Sequence, residues 1–235
     1  MDMVIKFLVA AVLAGTPLLY GTVGEILSEK TGHLNLGVEG MMSIGACAGF
    51  MAGYQTDSFV IAVLASALAG ALSALIYALL TVTFMANQNV TGLTLTIFGV
   101  GLSNFIGVFM LEKSENGALK LPDAVTAQMR NIHIPGLSDL PVVGELLFSY
   151  NPFVYLGIII AIAASIYLYK TQVGLNVQAI GENPGAADAV GIEVTKWRYI
   201  NILLSGAICG IGGAYCSMII NGGVWLRDSV GGLGW

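Results

Sequence analysis

The sequence predicts an all-α membrane protein, a polytopic helical bundle of about six spans with a broken second helix. Of its 235 residues, 56% are hydrophobic and only 10% are charged, whereas a soluble domain carries about 25% charged residues. The mean hydropathy is +0.83, and the 31 glycines are typical of closely packed transmembrane helices. No stretch alternates between polar and apolar residues as the strands of a membrane barrel would.

The apolar stretches have the length of membrane spans, since a helix needs about 20 residues to cross the hydrocarbon core. We expect residues 1–235 to form one transmembrane domain, and its first span is too long and too continuous to be a cleaved signal peptide. Polar segments at 112–151 and 170–198 must lie outside the hydrocarbon. The predicted spans are residues 3–23, 34–54, 59–84, 92–111, 153–169 and 199–220.

The distribution of basic residues predicts the orientation, because lysine and arginine near span ends favour the cytoplasmic side. Lys170, Lys196 and Arg198 lie close to the ends of the segment 170–198, whereas the segment 112–151 has three basic residues against five acids. We therefore expect 170–198 to be cytoplasmic and 112–151 to be external.

Composition and missing motifs exclude several functions. Nine basic residues and a net charge of −5 leave no footprint for nucleic acid. Cys47, Cys209 and Cys216 lie in apolar runs, and His33 and His133 are far apart, so we predict neither disulfides nor a metal site. No Gly-Lys dipeptide occurs, so the chain has no phosphate-binding loop for ATP hydrolysis. We predict no cofactor and no catalytic residue.

Rows of small residues predict close helix packing in the second and third spans. Gly45, Gly49 and Gly53 recur every four residues, and a similar row occupies the third span. Small residues let helix backbones approach each other in lipid. The glycines of the Gly206-x-x-x-Gly210 pattern are interpreted in the same way.

Asn35, Glu39 and Ser43 form the first candidate site. Their spacing of four places them on one face of a helix that runs onward from Asn35. A carboxylate is costly against lipid, so this face should look into the bundle or into a water-filled cavity. Gly32, Gly37 and Gly40 predict an irregular start to the helix. The residues are either part of a translocation path or an internal polar clamp between helices.

Thr96 and Asn104 extend this candidate path. They lie eight residues apart in the fourth span and therefore share a face. Such side chains could provide hydrogen bonds for a polyol or a base. The alternative is that they form hydrogen bonds between helices.

A second candidate lies in the loop 170–198, where the sequence predicts a helix of about two turns. Asn183 suits its N-cap, Pro184 its first position and Gly191 the position after its end. A helix this short is unstable alone, and its small side chains would fit a groove on another protein. A loop without a partner is the alternative. The segment comprises Glu182, Asn183, Pro184, Gly185, Ala186, Ala187, Asp188 and Gly191.

Two motifs together resemble a known family. The stretches SEKTGHLNLGVEGMM (28–42) and GLNVQAIGENPGAADAVGIEVTK (174–196) resemble permease subunits of ATP-binding-cassette importers for simple sugars, nucleosides and branched-chain amino acids. The NLGxEGMM form resembles the nucleoside-type branch. The resemblance runs from about Thr16 to the end of the chain.

The resemblance implies a transport subunit of the bacterial inner membrane rather than an enzyme. The segment from Asn183 to Gly191 would be the coupling helix, seated in a cleft of a separate cytoplasmic ATPase, and residues 35–43 would border the substrate path. An external lipoprotein would deliver the substrate, and a second, different permease chain would complete the pore. The favoured substrate is a nucleoside, with simple sugars such as ribose or a flavin-like compound as alternatives.

Two further expectations concern the chain as a whole. Members of the resembled family usually continue beyond the position of Trp235, so the chain looks C-terminally truncated. A membrane scaffold without transport activity is the hypothesis from another class, but a scaffold would not need the capped cytoplasmic helix.

Overall fold

The computed structural model describes residues 2–113, 117–132 and 143–231, which form helices joined by short connections. Two π-helical turns, Leu79–Thr83 and Cys216–Ile220, each continue a longer α-helix. His133 and Trp235 lie outside the described residues. The helices are α1 (Asp2–Glu29), α2 (Val38–Thr56), α3 (Phe59–Ala78), α4 (Gln88–Glu112), α5 (Asp123–Gln128), α6 (Val143–Leu147), α7 (Pro152–Lys170), α8 (Gln172–Glu182), α9 (Pro184–Ala189) and α10 (Val194–Tyr215).

Five helices of the described ranges are long and apolar enough to cross a membrane: α1, α3, α4, α7 and α10 with their π-helical extensions. The predicted second span is present as α2, but it is not among the five. Four glycines and Glu39 make α2 less apolar. The helix is largely buried, packed against α3, α4 and α10, so protein rather than lipid surrounds most of it. The all-α membrane bundle is confirmed.

Polar residues fix where several helices begin. The side chain of Asn87 accepts a hydrogen bond from the Val90 N–H at the start of α4. Asn151 accepts one in the same way from the Val154 N–H at the start of α7. These caps satisfy N–H groups that have no partner within the first turn of a helix.

Glycines hold α2, α3 and α10 in direct backbone contact, which confirms the predicted packing role of the small-residue rows. A Cβ added at Gly45 would lie 2.8 Å from the Gly210 carbonyl carbon. One added at Gly210 would overlap the Ser66 carbonyl oxygen, and one at Gly70 would overlap the Gly206 carbonyl oxygen. The three helices therefore form the centre of the bundle.

A polar cap closes the end of the bundle that is predicted to be external. The Trp225 N–H donates to the Leu119 carbonyl at 3.0 Å, and the Leu121 N–H donates to the Gly223 carbonyl at 2.8 Å. Leu119, Leu121 and Trp225 are buried in the core that this cap covers. The segment before α5 is thus tied to the segment that follows α10.

Candidate functional site

The connection between α1 and α2, residues 30–37, is the centre of the candidate site; we call it the α1–α2 junction. It is non-helical, yet Thr31, His33 and Asn35 within it are buried. Gly32 has a φ of +83°, a conformation that residues with a Cβ rarely adopt. The irregular start to α2 predicted from the sequence is therefore observed.

The carbonyl groups of the junction accept hydrogen bonds from side chains of the surrounding helices. Non-helical backbone within a membrane bundle is tolerated only where protein or water satisfies its polar groups. Ser28 of α1 donates to the His33 carbonyl at 2.9 Å. The bonds from α3, α4 and α10 are Arg198 to Thr31 (3.3 Å), Gln88 to Gly32 (3.3 Å), Tyr77 to Leu34 (2.8 Å) and Thr96 to Leu36 (2.9 Å). Side chains of α3, α4 and α10 thus hold one short stretch of backbone, so a shift of these helices acts on the start of α2.

Amide groups of the junction are satisfied as well. The Asn35 N–H donates to Glu25 Oε1 at 2.7 Å, and the Gly37 N–H donates to Asn35 Oδ1 at 2.9 Å. The other oxygen of Glu25, Oε2, is buried and has no hydrogen-bond partner among the described residues. Sequence reasoning missed Glu25 because the predicted first span ended at residue 23, whereas α1 continues to Glu29.

A cavity of about 470 Å³ adjoins the junction between α1 and α4. Its polar lining includes Glu25, Glu29 and Asn35, and leucine and isoleucine side chains supply most of the rest. Ligand sites are commonly apolar clefts of about 300–1,000 Å³ with a few polar groups that orient the ligand. The cavity has the size and lining for a small molecule that carries hydrogen-bond donors.

The predicted helical face of Asn35, Glu39 and Ser43 is only partly formed. Helix α2 begins at Val38, so Asn35 lies before it and its side chain binds the Gly37 amide instead. Local bonding by an asparagine side chain competes with helix formation, which explains the later start. Glu39 is half-buried in the first turn, and Ser43 is buried within α2.

Thr96 and Asn104 do not join in one polar cluster. Thr96 donates to the junction at Leu36. The amide nitrogen of Asn104 donates to Asp228 Oδ1 at 2.7 Å, and its oxygen accepts from the Asp228 N–H at 3.1 Å. Each therefore supports a different non-helical segment. No spacing or motif in the sequence had pointed to Asp228.

The short helix predicted in the loop 170–198 is observed as α9. Asn183 Oδ1 accepts a hydrogen bond from the Ala186 N–H at 3.0 Å, Pro184 occupies the first position, and Gly191 has a φ of +85°. Ala187 is buried against its own chain, so it cannot be part of a surface for a partner. The exposed residues of the segment are Glu182, Asn183, Pro184, Gly185, Ala186, Asp188 and Gly191.

The loop 170–198 touches the α1–α2 junction directly. Gly181, near the end of α8, packs so closely that a Cβ there would lie 2.5 Å from the Lys30 carbonyl oxygen. Arg198, in the first turns of α10, binds the Thr31 carbonyl. The helices on either side of α9 thus contact two consecutive residues of the junction.

His33 is buried in the junction, and its Nδ1 has no hydrogen-bond partner among the described residues. Burial, and secondarily the positive charge of Arg198, lower its pKa from 6.5 to about 4. The imidazole is therefore neutral at physiological pH.

This lowered pKa predicts that the folding stability contributed by His33 is lost as the pH falls from about 6.5 to about 4. The unfolded chain takes up the proton first, so the folding stability linked to His33 is complete above pH 6.5 and falls as the pH decreases. After allowance for screening by solvent, we expect the contribution of His33 to the free energy of unfolding to fall by about 2 kcal/mol. Thermal unfolding in detergent at pH 7.5 and pH 4.5 measures it, and His33→Gln should reduce the difference. An equal loss in both proteins would contradict the assignment to His33.

Within the ranges that the structure describes, no group of three or more His, Cys, Asp or Glu side chains is arranged to hold a metal ion. The cysteines Cys47, Cys209 and Cys216 are free and buried. The polar groups of the site are thus hydrogen-bonding groups.

Comparison with known proteins shows similarity to permeases of transport systems. A family described as the permease component of branched-chain amino acid transport systems matches residues 7–231. No solved structure matches the chain.

Three curated relatives illustrate the range of names. A putative glucose ABC transporter permease of Haloferax volcanii is 33% identical over 96% of this chain and 66% of its own. The nucleoside ABC transporter permease NupC of Lactococcus lactis is 34% identical over 88% and 65%. The guanosine ABC transporter permease NupQ of Bacillus subtilis is 35% identical over 89% and 66%. The chain therefore spans about two thirds of the length of these relatives.

Proposed function

The chain belongs to the permease family of branched-chain amino acid transport systems, and from this premise we propose that it translocates nucleosides as a subunit of an ATP-driven importer. It is a non-catalytic, multi-pass membrane protein of the sugar and nucleoside branch of ATP-binding-cassette permeases. The substrate, the partners and the path are the proposal.

One observation supports the mechanism: the helices on either side of α9, which are α8 and α10, both contact the α1–α2 junction. Gly181 packs on Lys30, and Arg198 binds Thr31. A partner that moves α9 would move these contacts and, through them, the unwound start of α2. An ATP-dependent shift between inward and outward arrangements needs a contact that differs between the two states, and this contact is a candidate for it.

The proposed partners follow from the exposed surfaces. The ATPase would seat on the exposed residues of α9, from Asn183 to Asp188, at the predicted cytoplasmic end. An external lipoprotein would deliver the substrate to the opposite end, where the segment before α5 and the segment after α10 are paired. A second permease subunit, a different chain, would complete the pore.

The names of two relatives support a nucleoside, since they are described as nucleoside and guanosine permeases. A simple sugar is the second candidate, because the Haloferax volcanii relative is named for glucose at a similar identity. Both substrate classes present hydroxyl groups, which match the carboxylate and amide oxygens at the junction.

Uptake measurements test the proposal. The chain is expressed in its full gene context, with its ATPase and receptor, in cells that lack nucleoside transporters. We expect saturable uptake of radiolabelled guanosine, and we expect other nucleosides to inhibit it. A 100-fold excess of glucose or ribose should change the uptake rate by no more than about 20%. The control is an ATPase variant without its phosphate-binding lysine, which should abolish uptake.

Two other results would count against the nucleoside. Uptake of labelled glucose or ribose that guanosine does not inhibit would favour the sugar. The absence of any uptake, together with no ATPase in the affinity-purified complex, would contradict an importer of either kind.

A further inference from the structure

The chain turns back into the bundle after α10, as a non-helical stretch that we call the return segment (residues 225–231). Gly222 and Gly223, with φ of +62° and +73°, make the turn that precedes it. At its start, Trp225 fills the space left by Gly107 of α4 and packs against Phe50 of α2, with ring centroids 5.4 Å apart. The segment is thus seated between α2 and α4.

Two contacts along the return segment show how deep it runs. Asp228 exchanges two hydrogen bonds with Asn104, which lies eight residues before the end of α4, or about 12 Å along a helix. Val230 is buried in a cluster with Val38 and Leu95. The hydrocarbon core is about 30 Å thick, so these contacts place the segment at membrane depth.

The segment ends beside Glu39. A Cβ at Gly231 would lie 3.8 Å from Glu39 Oε1. Glu39 is the second residue of α2, just after the α1–α2 junction, so two non-helical stretches of the protein come close to each other near this carboxylate. Gly40, the next residue, packs against Leu95 and Gly99 of α4, which puts the meeting point near the middle of that helix.

The return segment carries three consecutive polar residues beside the exposed Leu226. The side chains of Arg227 and Asp228 are exposed, and Ser229 is half-buried. Charged side chains and irregular backbone are costly against lipid, and within a membrane they occur where protein or a water-filled cavity surrounds them. A water-filled path beside the return segment would hydrate both its charged side chains and its irregular backbone.

We propose that the return segment, together with Asn104 and Glu39, lines the translocation path and binds the sugar hydroxyls of a nucleoside. Asn104 binds one oxygen of Asp228, no described residue forms a hydrogen bond with the second, and a hydroxyl donor would bind there; Glu39 supplies further acceptors. Two carboxylates against the single guanidinium of Arg227 disfavour anions, so the site selects nucleosides over nucleotides. The identity of the ligand rests on the proposed function. The presence of a water-filled path beside the return segment does not.

Cysteine labelling tests the path. The buried Cys47, Cys209 and Cys216 are replaced by alanine, Ser229→Cys is introduced, and vesicles of the complete transporter are treated on both sides with a charged, membrane-impermeant methanethiosulfonate. We expect labelling, and we expect 1 mM guanosine to slow it at least fivefold while guanosine monophosphate does not. The matched control is Phe105→Cys on α4, whose side chain is 71% exposed on the apolar surface and should stay unlabelled.

The outcomes separate this inference from the proposed function. If Ser229→Cys remains unlabelled while guanosine uptake is retained, the path is wrong and the function stands. If it is labelled and only glucose or ribose protects it, the path stands and the nucleoside is wrong. Labelling that none of these compounds slows overturns the binding role.

A second variant tests whether Asp228 accepts a hydrogen bond from the substrate, and it needs no introduced cysteine. Asp228→Asn keeps a side chain able to bond with Asn104 but removes the charge. We expect the KM for guanosine uptake to rise about tenfold with little change in the maximal rate, and the amount of transporter in the membrane to be unchanged. An unchanged KM would overturn the role of Asp228.

Discussion

Replacing Gly210 with alanine is expected to prevent the bundle from assembling. Gly210 lies where α2, α3 and α10 cross: a Cβ there would overlap the Ser66 carbonyl oxygen and lie 3.1 Å from the Gly70 Cα. These obstacles are backbone atoms, which cannot turn away as a side chain would. Overpacking of a core costs about 1–3 kcal/mol and sometimes more. We expect a loss of about 3 kcal/mol in folding stability because the crossing of α3 and α10 must open against backbone atoms.

Gly101→Ala is the matched control for this prediction. Gly101 is also a helix glycine, but nothing lies within 4 Å of the position of its Cβ. Alanine is favoured over glycine in a helix interior by about 0.5–1 kcal/mol, so this variant should be at least as stable as the parent. Size-exclusion chromatography and thermal unfolding in detergent compare the two. A monodisperse Gly210→Ala protein with unchanged thermal stability would refute the packing argument.

The sequence predicted features that depend on local chemistry. Gly45 and Gly210 stood in small-residue rows, and they meet in the structure. Asn183 and Pro184 carried the signals of a helix start, and α9 begins there. Each of these signals is contained within a few consecutive residues or a repeated spacing, which is the information that one sequence provides without a partner.

Features that depend on distant residues were not predictable in the same way. The extension of α1 to Glu29 brought Glu25 to the junction, ten residues along the chain from its partner Asn35. Asn104 and Asp228 are 124 residues apart. No spacing pattern connects such pairs, because tertiary packing brings them together. The start of α2 was predicted three residues early for a related reason, since helix periodicity alone does not show that the Asn35 side chain bonds to Gly37.

Under the proposed mechanism, Gly181 lies where movement of α9 would reach the α1–α2 junction. Gly181→Ala is expected to reduce substrate uptake at least tenfold and to make ATP hydrolysis by the complex insensitive to substrate. A methyl group at this position would lie 2.5 Å from the Lys30 carbonyl oxygen and 3.4 Å from the Gly32 nitrogen. Helix α8 would have to move away from the α1–α2 junction, and the contact beside the Arg198 hydrogen bond to Thr31 would be lost.

Leu175→Ala separates this effect from damage to α8 itself. Leu175 lies on the same helix, and 60% of its side chain surface is exposed, so its truncation leaves the contact with Lys30 intact. Uptake and substrate-stimulated ATP hydrolysis are measured in the reconstituted transporter, with the amount of assembled complex as the reference. We expect both variants to assemble and only Gly181→Ala to lose coupling. If Gly181→Ala transports normally, the junction tolerates a displaced α8, and movement must reach α2 by another route. If Gly181→Ala fails to assemble, the contact between Gly181 and Lys30 is structural and does not transmit movement.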